Sequence, residues 1–220
     1  MAPVELLDLR ATHSGGKVRM SWRYPPKPPD VVHIYPCTGG PSGPQLNMRG
    51  HIEKKLKDCN DGVVFDLMGG VGSDVKKMDF CAFLANPGED VPEARVLQSM
   101  PNSFASVVTG EARISYDFRK SSVKKKTWDR ILSQYRIWLQ SSAEIEAGLL
   151  GYTYFFHGKA ISFTFPGAVL RGIVEYPPIY LPLEATPMVE LIHGGNTDVS
   201  VIRQNFSIII RWFKRKKYAL

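Results

Sequence analysis

One short segment occurs twice in this chain of 220 residues, and it restricts the fold more than any other feature. The first copy covers residues 16–24 and the second covers residues 110–118. In both copies apolar or aromatic residues alternate with charged or small polar ones, a period of two that predicts a strand with one buried face. Trp22 and Tyr116 occupy equivalent positions, and both are predicted to be buried. A repeat at the length of a domain indicates two copies of one β domain.

The spacing of the two copies predicts two domains, over residues 1–100 and residues 103–220, joined at the Pro-Asn-Ser sequence that begins at Pro101. Each domain would have the usual size of a β-sandwich. An apolar fraction of 44% is typical of a chain with a packed core. The net charge of +7 favours acidic partners without specifying a fold.

Short alternating segments separated by glycine and proline predict an all-β protein of two tandem antiparallel β-sandwiches. Short helices are allowed in two places, near residues 45–58 and near residues 127–134, because apolar residues there also fit a helical spacing. A strand over residues 135–139 is the preferred interpretation at the second place, with Ile137 equivalent to Ile34 of the first half. A strand is also expected at residues 96–100, and residues 173–183 are expected on a sheet edge because they are rich in proline. Residues 151–157 and 160–165 are predicted to form a hairpin across residues 157–159. Residues 206–213 are predicted to form the last strand, with Phe206 and the apolar residues that alternate with it facing the core.

The N-terminal part of the chain resembles the start of a fibronectin type III domain. The residues that carry the resemblance are Leu9, Ala11, Val18, Arg19, Met20, Ser21, Trp22, Pro25, Pro26, Ile34 and Tyr35. The resemblance implies that Trp22 packs between two antiparallel sheets and that Tyr35 lies on the third strand. The second half shares it only through the repeat, with Tyr116 in the place of the tryptophan. A fibronectin type III or immunoglobulin-like sandwich implies adhesion, spacing or docking more than catalysis, although a fold alone does not define a function.

The three cysteines are Cys37, Cys59 and Cys81, all in the first half of the chain. An odd number cannot pair completely within one chain, so we expect three reduced, unpaired thiols. Sparse cysteine usage is typical of a reducing compartment. Neither a secretion signal nor an apolar run long enough to cross a membrane is visible. The sequence therefore predicts a cytoplasmic protein without a membrane span.

Residues 65–72 contain a glycine-rich stretch that looks like the phosphate- or cofactor-binding loop of nucleotide- and S-adenosylmethionine-binding enzymes. In those enzymes a helix must follow the loop. Here only residues 73–77 precede the next predicted strand, which is too short for a helical crossover between parallel strands. The glycines are therefore predicted to form a tight turn, and no cofactor is expected.

The metal-ligating residue types are scattered along the first half of the chain. They are His33, Cys37, His51, Cys59 and Cys81. Zinc sites are usually built from closely spaced pairs of ligands, which this set lacks, so no metal centre is expected. The five histidines and the absence of a nucleophile motif predict no catalytic residues and a protein that is not an enzyme. An enzyme with a site between the two halves stays a further alternative.

Two basic clusters are candidate contacts for an anionic partner. They are Lys124, Lys125 and Lys126, and Lys214, Arg215, Lys216 and Lys217. Lysine runs can neutralise phosphates or approach anionic lipid, but they also occur as solvated loops and tails. The preferred hypothesis is therefore a non-catalytic protein-interaction or structural module whose partner is another protein. Binding of nucleic acid or an anionic surface through the basic clusters is the alternative. The sequence does not specify the partner or the oligomeric state.

Overall fold

A computed structural model describes residues 3–59, 62–66, 74–89, 91–127, 131–192 and 195–206. The chain forms two compact units. The first contains Met1–Gly72, Lys76–Gly110 and His193–Asp198, and the second contains Ser73–Val75, Glu111–Ile192 and Val199–Leu220. Strands dominate both units, so the predicted all-β class is confirmed.

The first unit contains nine of the described strands and one short α-helix. They are β1 (Val4–Glu5), β2 (Leu7–Ser14), β3 (Lys17–Arg23), β4 (Val31–Thr38), β5 (Gln45–Leu46), β6 (Ile52–Lys55), β7 (Gly62–Asp66), β8 (Lys76–Ala85), α1 (Ala94–Gln98) and β9 (Phe104–Thr109). One sheet has the order β2-β3-β7. The other has the order β1-β8-β4-β5, with β6 also paired to β4 and β9 paired to β8. Every pair in these two sheets is antiparallel.

The core of the first unit lies between these two sheets. Val18, Met20 and Trp22 alternate along β3 and are buried in one apolar cluster with Phe80 and Leu84 of β8. The strand order places β3 between β2 and β7 and places β4 beside β8, as in the sandwiches of immunoglobulin-like domains. The fold implied by the resemblance is therefore present in the first unit.

The central strand β4 is buried on both of its faces. Its even-numbered residues Val32 and Ile34 join the sandwich core, whereas Tyr35 belongs to a second apolar cluster on the other face of the sheet. Leu97 of α1 belongs to that second cluster, so the helix covers this face. The expected strand at residues 96–100 is wrong, because the backbone there forms α1 and the turn after it.

The second unit contains seven of the described strands. They are β10 (Ala112–Lys126), β11 (Ile131–Ser141), β12 (Leu150–Phe156), β13 (Lys159–Thr164), β14 (Gly172–Pro182), β15 (Met188–Leu191) and β16 (Val199–Arg203). One sheet has the order β14-β11-β10-β16 and the other has the order β13-β12-β15. Neighbouring strands are antiparallel except β10 and β16, which run parallel.

Both copies of the repeat form strands, and Trp22 and Tyr116 are buried, as predicted. The expected equivalence of Ile34 and Ile137 is wrong. Strand β4 lies in the sheet opposite β3, whereas β11 lies next to β10 and places Ile137 beside Phe118. The segment after each copy explains the difference. Four prolines within residues 25–29 cannot supply ladder donors and end β3, whereas residues 119–126 contain no proline and extend β10 into a long hairpin.

The described helices are short, and none of them is long and apolar enough to cross a membrane. Near residues 45–58 the structure contains two 3-10 turns, Met48–Gly50 and Leu56–Asp58. Near residues 127–134 the helical interpretation is wrong from Ile131 onward, because β11 begins there, and residues 128–130 lie outside the described residues. Phe206 is fully buried as predicted, whereas residues 207–213 also lie outside the described residues.

Candidate functional site

The most concentrated group of metal-ligating side chains lies on β4 and β6 of the first unit. The antiparallel register places His33 opposite Glu53, and His51 comes just before β6. The Nδ1 atom of His33 and the Nε2 atom of His51 are 3.0 Å apart. One ligand atom from each of His33, His51 and Glu53 lies within 4.8 Å of the others. We refer to these three residues as the His-His-Glu cluster.

Aromatic rings enclose this cluster on the face of the sheet that also carries Tyr35. The rings of His51 and Tyr35 stack with centroids 4.2 Å apart and planes inclined by 5°. His33 stacks between His51, at 5.2 Å, and Phe83, at 5.6 Å. His33 is only 5% exposed, while His51 is half-buried and Glu53 is exposed. The cluster is therefore closed on its apolar side and open toward Glu53.

Burial determines the protonation of the two imidazoles. Burial lowers the pKa of His33, and the neighbouring His51 lowers it further. Burial also lowers the pKa of His51. Both rings are therefore neutral near pH 7, the form in which a histidine can ligate a metal. The Nε2 atom of His33 is buried and has no hydrogen-bond partner among the described residues.

Sequence reasoning considered His33 and His51 together with the cysteines and missed Glu53. The structure separates the two histidines from the thiols as a possible ligand set, and no cysteine joins the group of ligand atoms within the described part of the chain. The only sequence feature that points to Glu53 as a ligand is its spacing from His51, two residues earlier. That spacing alone does not predict a metal site, because the third ligand, His33, lies beside them only when β4 pairs with β6.

The three cysteines are buried free thiols. Burial, with a smaller effect of Asp79, raises the pKa of Cys37 to about 11. Burial, with a smaller effect of Cys37, raises the pKa of Cys81 to about 12. A thiolate is the reactive form of cysteine, so these two thiols are poor nucleophiles at neutral pH.

The glycine-rich stretch singled out in the sequence is only partly described. Phe65 is half-buried at the end of β7 and packs edge-on against Phe80 of the sandwich core. Residues 67–72, which contain the glycines, lie outside the described residues. The turn predicted there stays a prediction.

The first basic cluster lies at the end of β10, where Lys124, Lys125 and Lys126 are all exposed. Alternation along a strand directs Lys124 and Lys126 to one face and Lys125 to the other. The Nζ atom of Lys125 lies 5.5 Å from the ring centroid of Tyr180, a cation–π contact. The structure therefore divides this cluster between two faces. The second cluster, from Lys214 to Lys217, lies outside the described residues.

A separate exposed surface lies on the hairpin formed by β12 and β13. His157 and Gly158 join the strands with φ angles of 49° and 75°, the left-handed pair that a two-residue type I′ turn requires. This confirms the predicted hairpin across residues 157–159. Nearly every residue of β13 is exposed, including Phe163, and Phe155 on β12 is exposed as well. Among the described strands β13 pairs only with β12, so its other edge has no partner strand within the described part of the chain.

No protein-family model matches the chain, and no curated protein matches it. Among solved structures, the chain is similar to a two-domain fibronectin type III segment of chicken tenascin, with 10% sequence identity and a TM-score of 0.29. That match covers 81% of this chain and 98% of the tenascin segment. The strand order of the first unit, and not this match, defines its fold.

Proposed function

We propose that this protein is a non-catalytic protein-interaction module, and that the edge strand β13 pairs with an extended segment of a protein partner. The observation that carries the proposal is the open edge of β13 together with the exposure of its side chains. Extended peptides commonly bind by adding a strand to such an edge, where backbone hydrogen bonds supply affinity and alternate side chains supply specificity.

The register of the hairpin indicates which backbone groups of β13 point away from β12. The N–H of Phe165 donates to the carbonyl oxygen of Leu150 at 3.0 Å, which makes this a hydrogen-bonded pair. Hydrogen-bonded and non-hydrogen-bonded pairs alternate along an antiparallel ladder. The residues of β13 that direct their N–H and C=O groups outward are therefore Ala160, Ser162 and Thr164. These groups are the ones that a partner strand would engage.

The open edge of β13 lacks the protection found on another edge of the same unit. Edge strands are commonly blocked by prolines and charged side chains, which prevent pairing with other chains. Strand β14 contains Pro177 and Pro178, whereas β13 contains no proline and a single charged residue, Lys159. With Phe163 46% exposed beside this edge, the partner segment that fits best is extended and carries apolar side chains at alternate positions.

Replacing Ala160 with proline should abolish partner binding while leaving the fold intact. Proline removes one outward N–H and does not disturb the hydrogen bonds between β12 and β13. The measurement is photo-cross-linking in the native cells from a photoreactive phenylalanine analogue at Phe163, followed by calorimetric titration of the purified partner. We expect the cross-linked partner to disappear in Ala160→Pro and the affinity to fall by at least tenfold.

Ala160→Thr is the matched control, because threonine keeps the N–H and favours a strand. It should retain the cross-link and the affinity. A partner that binds Ala160→Pro and Ala160→Thr equally well would contradict strand addition at β13. A folded protein with no cross-linked protein partner would contradict the interaction function as a whole.

A second candidate function is contact with nucleic acid or an anionic surface through Lys124 and Lys126, which lie exposed on one face of β10. In that case the double substitution of both lysines by alanine should weaken binding to heteropolymer DNA. It should also reduce the slope of log affinity against log salt concentration by about two. Lys125→Ala is the control, because Lys125 points to the opposite face. Binding that does not depend on salt, or equal effects of both variants, would reject this function.

We further propose that the module consists of two tandem sandwich domains and acts in the cytoplasm. The boundary predicted at residues 101–103 moves to Gly110, because β9 (Phe104–Thr109) pairs with β8 in a sheet of the first unit. The free thiols of Cys37, Cys59 and Cys81 support a reducing compartment.

A further inference from the structure

We infer that His33, His51 and Glu53 form a binding site for a divalent transition-metal ion, with Zn²⁺ as the best fit. The inference concerns the first unit and is independent of the interaction proposed for β13. It rests on the convergence of three ligand atoms within 4.8 Å and on the direct approach of two imidazole nitrogens.

The separation of the two imidazole nitrogens is close to the value that a shared metal ion requires. Zinc–nitrogen bonds of about 2.0–2.1 Å in a tetrahedral site place two ligand nitrogens about 3.3 Å apart. The Nδ1 atom of His33 and the Nε2 atom of His51 are 3.0 Å apart, so a small outward shift of the half-buried His51 accommodates the ion. Glu53 then supplies an oxygen ligand from the open side, and a water molecule completes the tetrahedron.

Without a metal, one of the two facing nitrogens donates its N–H to the other. Binding of an ion through both facing nitrogens requires the donating ring to change tautomer. Its facing nitrogen loses the proton to solvent and its other ring nitrogen takes one up, so both imidazoles stay neutral and no proton is released overall. In the metal-bound site His33 carries its proton on Nε2 and His51 carries its proton on Nδ1.

The charges around the cluster favour a cation. Glu53 lies opposite His33 in the strand register, and its carboxylate places a negative charge within 4.8 Å of the two imidazole ligand atoms. Two nitrogen ligands and one carboxylate oxygen are a set that suits zinc and similar ions, whereas calcium and magnesium prefer oxygen ligands throughout.

A purely structural role accounts poorly for this cluster. His33 is stacked between aromatic rings in a place where phenylalanine would pack equally well, beside Phe83. The imidazole instead leaves its buried Nε2 atom without a hydrogen-bond partner among the described residues. Burying such a group is unfavourable, so the buried environment does not by itself favour a histidine. Metal binding would give a role to the Nδ1 atom, which faces His51.

The test is a calorimetric titration of the untagged full-length protein with Zn²⁺, supported by the visible absorption spectrum of bound Co²⁺. We expect about one ion per chain and a tetrahedral Co²⁺ spectrum. His51→Gln and Glu53→Gln should each weaken binding by at least about tenfold, since even residues that only support metal ligands have effects of this size. His157→Asn, which removes an exposed histidine at the β12–β13 turn, should bind as the original protein does.

His33→Phe separates metal binding from packing. It keeps the stacked rings, so its unfolding temperature without metal should equal or exceed that of the original protein. Added Zn²⁺ should raise the unfolding temperature of the original protein but not of His33→Phe. Absence of Zn²⁺ binding would overturn the inference. So would binding that is unchanged in His51→Gln and Glu53→Gln, which would locate the ion on other groups such as the thiols.

Discussion

Substitution of Trp22 by alanine should lower the free energy of unfolding of the first unit by about 3–5 kcal/mol, the usual cost of truncating a large core aromatic. Trp22 is 4% exposed and packs in the cluster between the two sheets with Met20, Phe80 and Leu84. Urea unfolding followed by circular dichroism gives the change in free energy. Hydrogen exchange with mass spectrometry assigns the loss to peptides from β3 and β8.

Trp22→Phe is the matched control for this prediction. The indole Nε1 atom is buried and has no hydrogen-bond partner among the described residues, so phenylalanine sacrifices no hydrogen bond found there. It also keeps most of the apolar volume, and its cost should be well below that of alanine. A loss of less than about 1 kcal/mol in Trp22→Ala would show that the sandwich core does not depend on this ring.

Substitution of Ile137 by alanine should destabilise the second unit by about 2–5 kcal/mol, through lost burial and the cavity that remains. Ile137 is fully buried on β11, which lies between β10 and β14 in its sheet. The same urea titration measures the total change. Increased hydrogen exchange in peptides from β10, β11 and β14 should accompany it.

Arg136→Ala tests whether the effect depends on the buried face of β11. Arg136 is the preceding residue, is exposed and points to the opposite face, so its loss should change stability by no more than about 0.5 kcal/mol. Equal effects of the two substitutions would show that β11 does not present Ile137 to a packed core.

The proposed interaction surface and the proposed metal site can be tested independently of each other. The first depends on backbone groups of β13, and the second depends on side chains of β4, β6 and the residue before β6. Ala160→Pro should therefore leave Zn²⁺ binding unchanged, and His51→Gln should leave the cross-link from position 163 unchanged. Each experiment thus supplies a folding and activity control for the other.

The sequence by itself determined several local features of this protein. Alternation with a period of two identified β3 and β10 as strands and predicted burial of Trp22 and Tyr116. The turn at His157 and Gly158 was readable because two alternating segments flank it. Prolines correctly marked β14 as an edge strand, since proline cannot donate to a ladder. Each of these features depends on residues that are adjacent in the sequence, so the local sequence pattern is sufficient to predict it.

Tertiary structure alone decided which strands became neighbours. The repeat at residues 110–118 suggested the order of the first unit, yet β11 pairs with β10 in one sheet. In the same way, the pairing of β4 with β6 brings His33 beside Glu53 and His51. Backbone hydrogen bonds are nearly the same for every residue, so a sequence pattern specifies which face of a strand is buried but not which strand lies beside it. That choice is made by the packing of the whole unit.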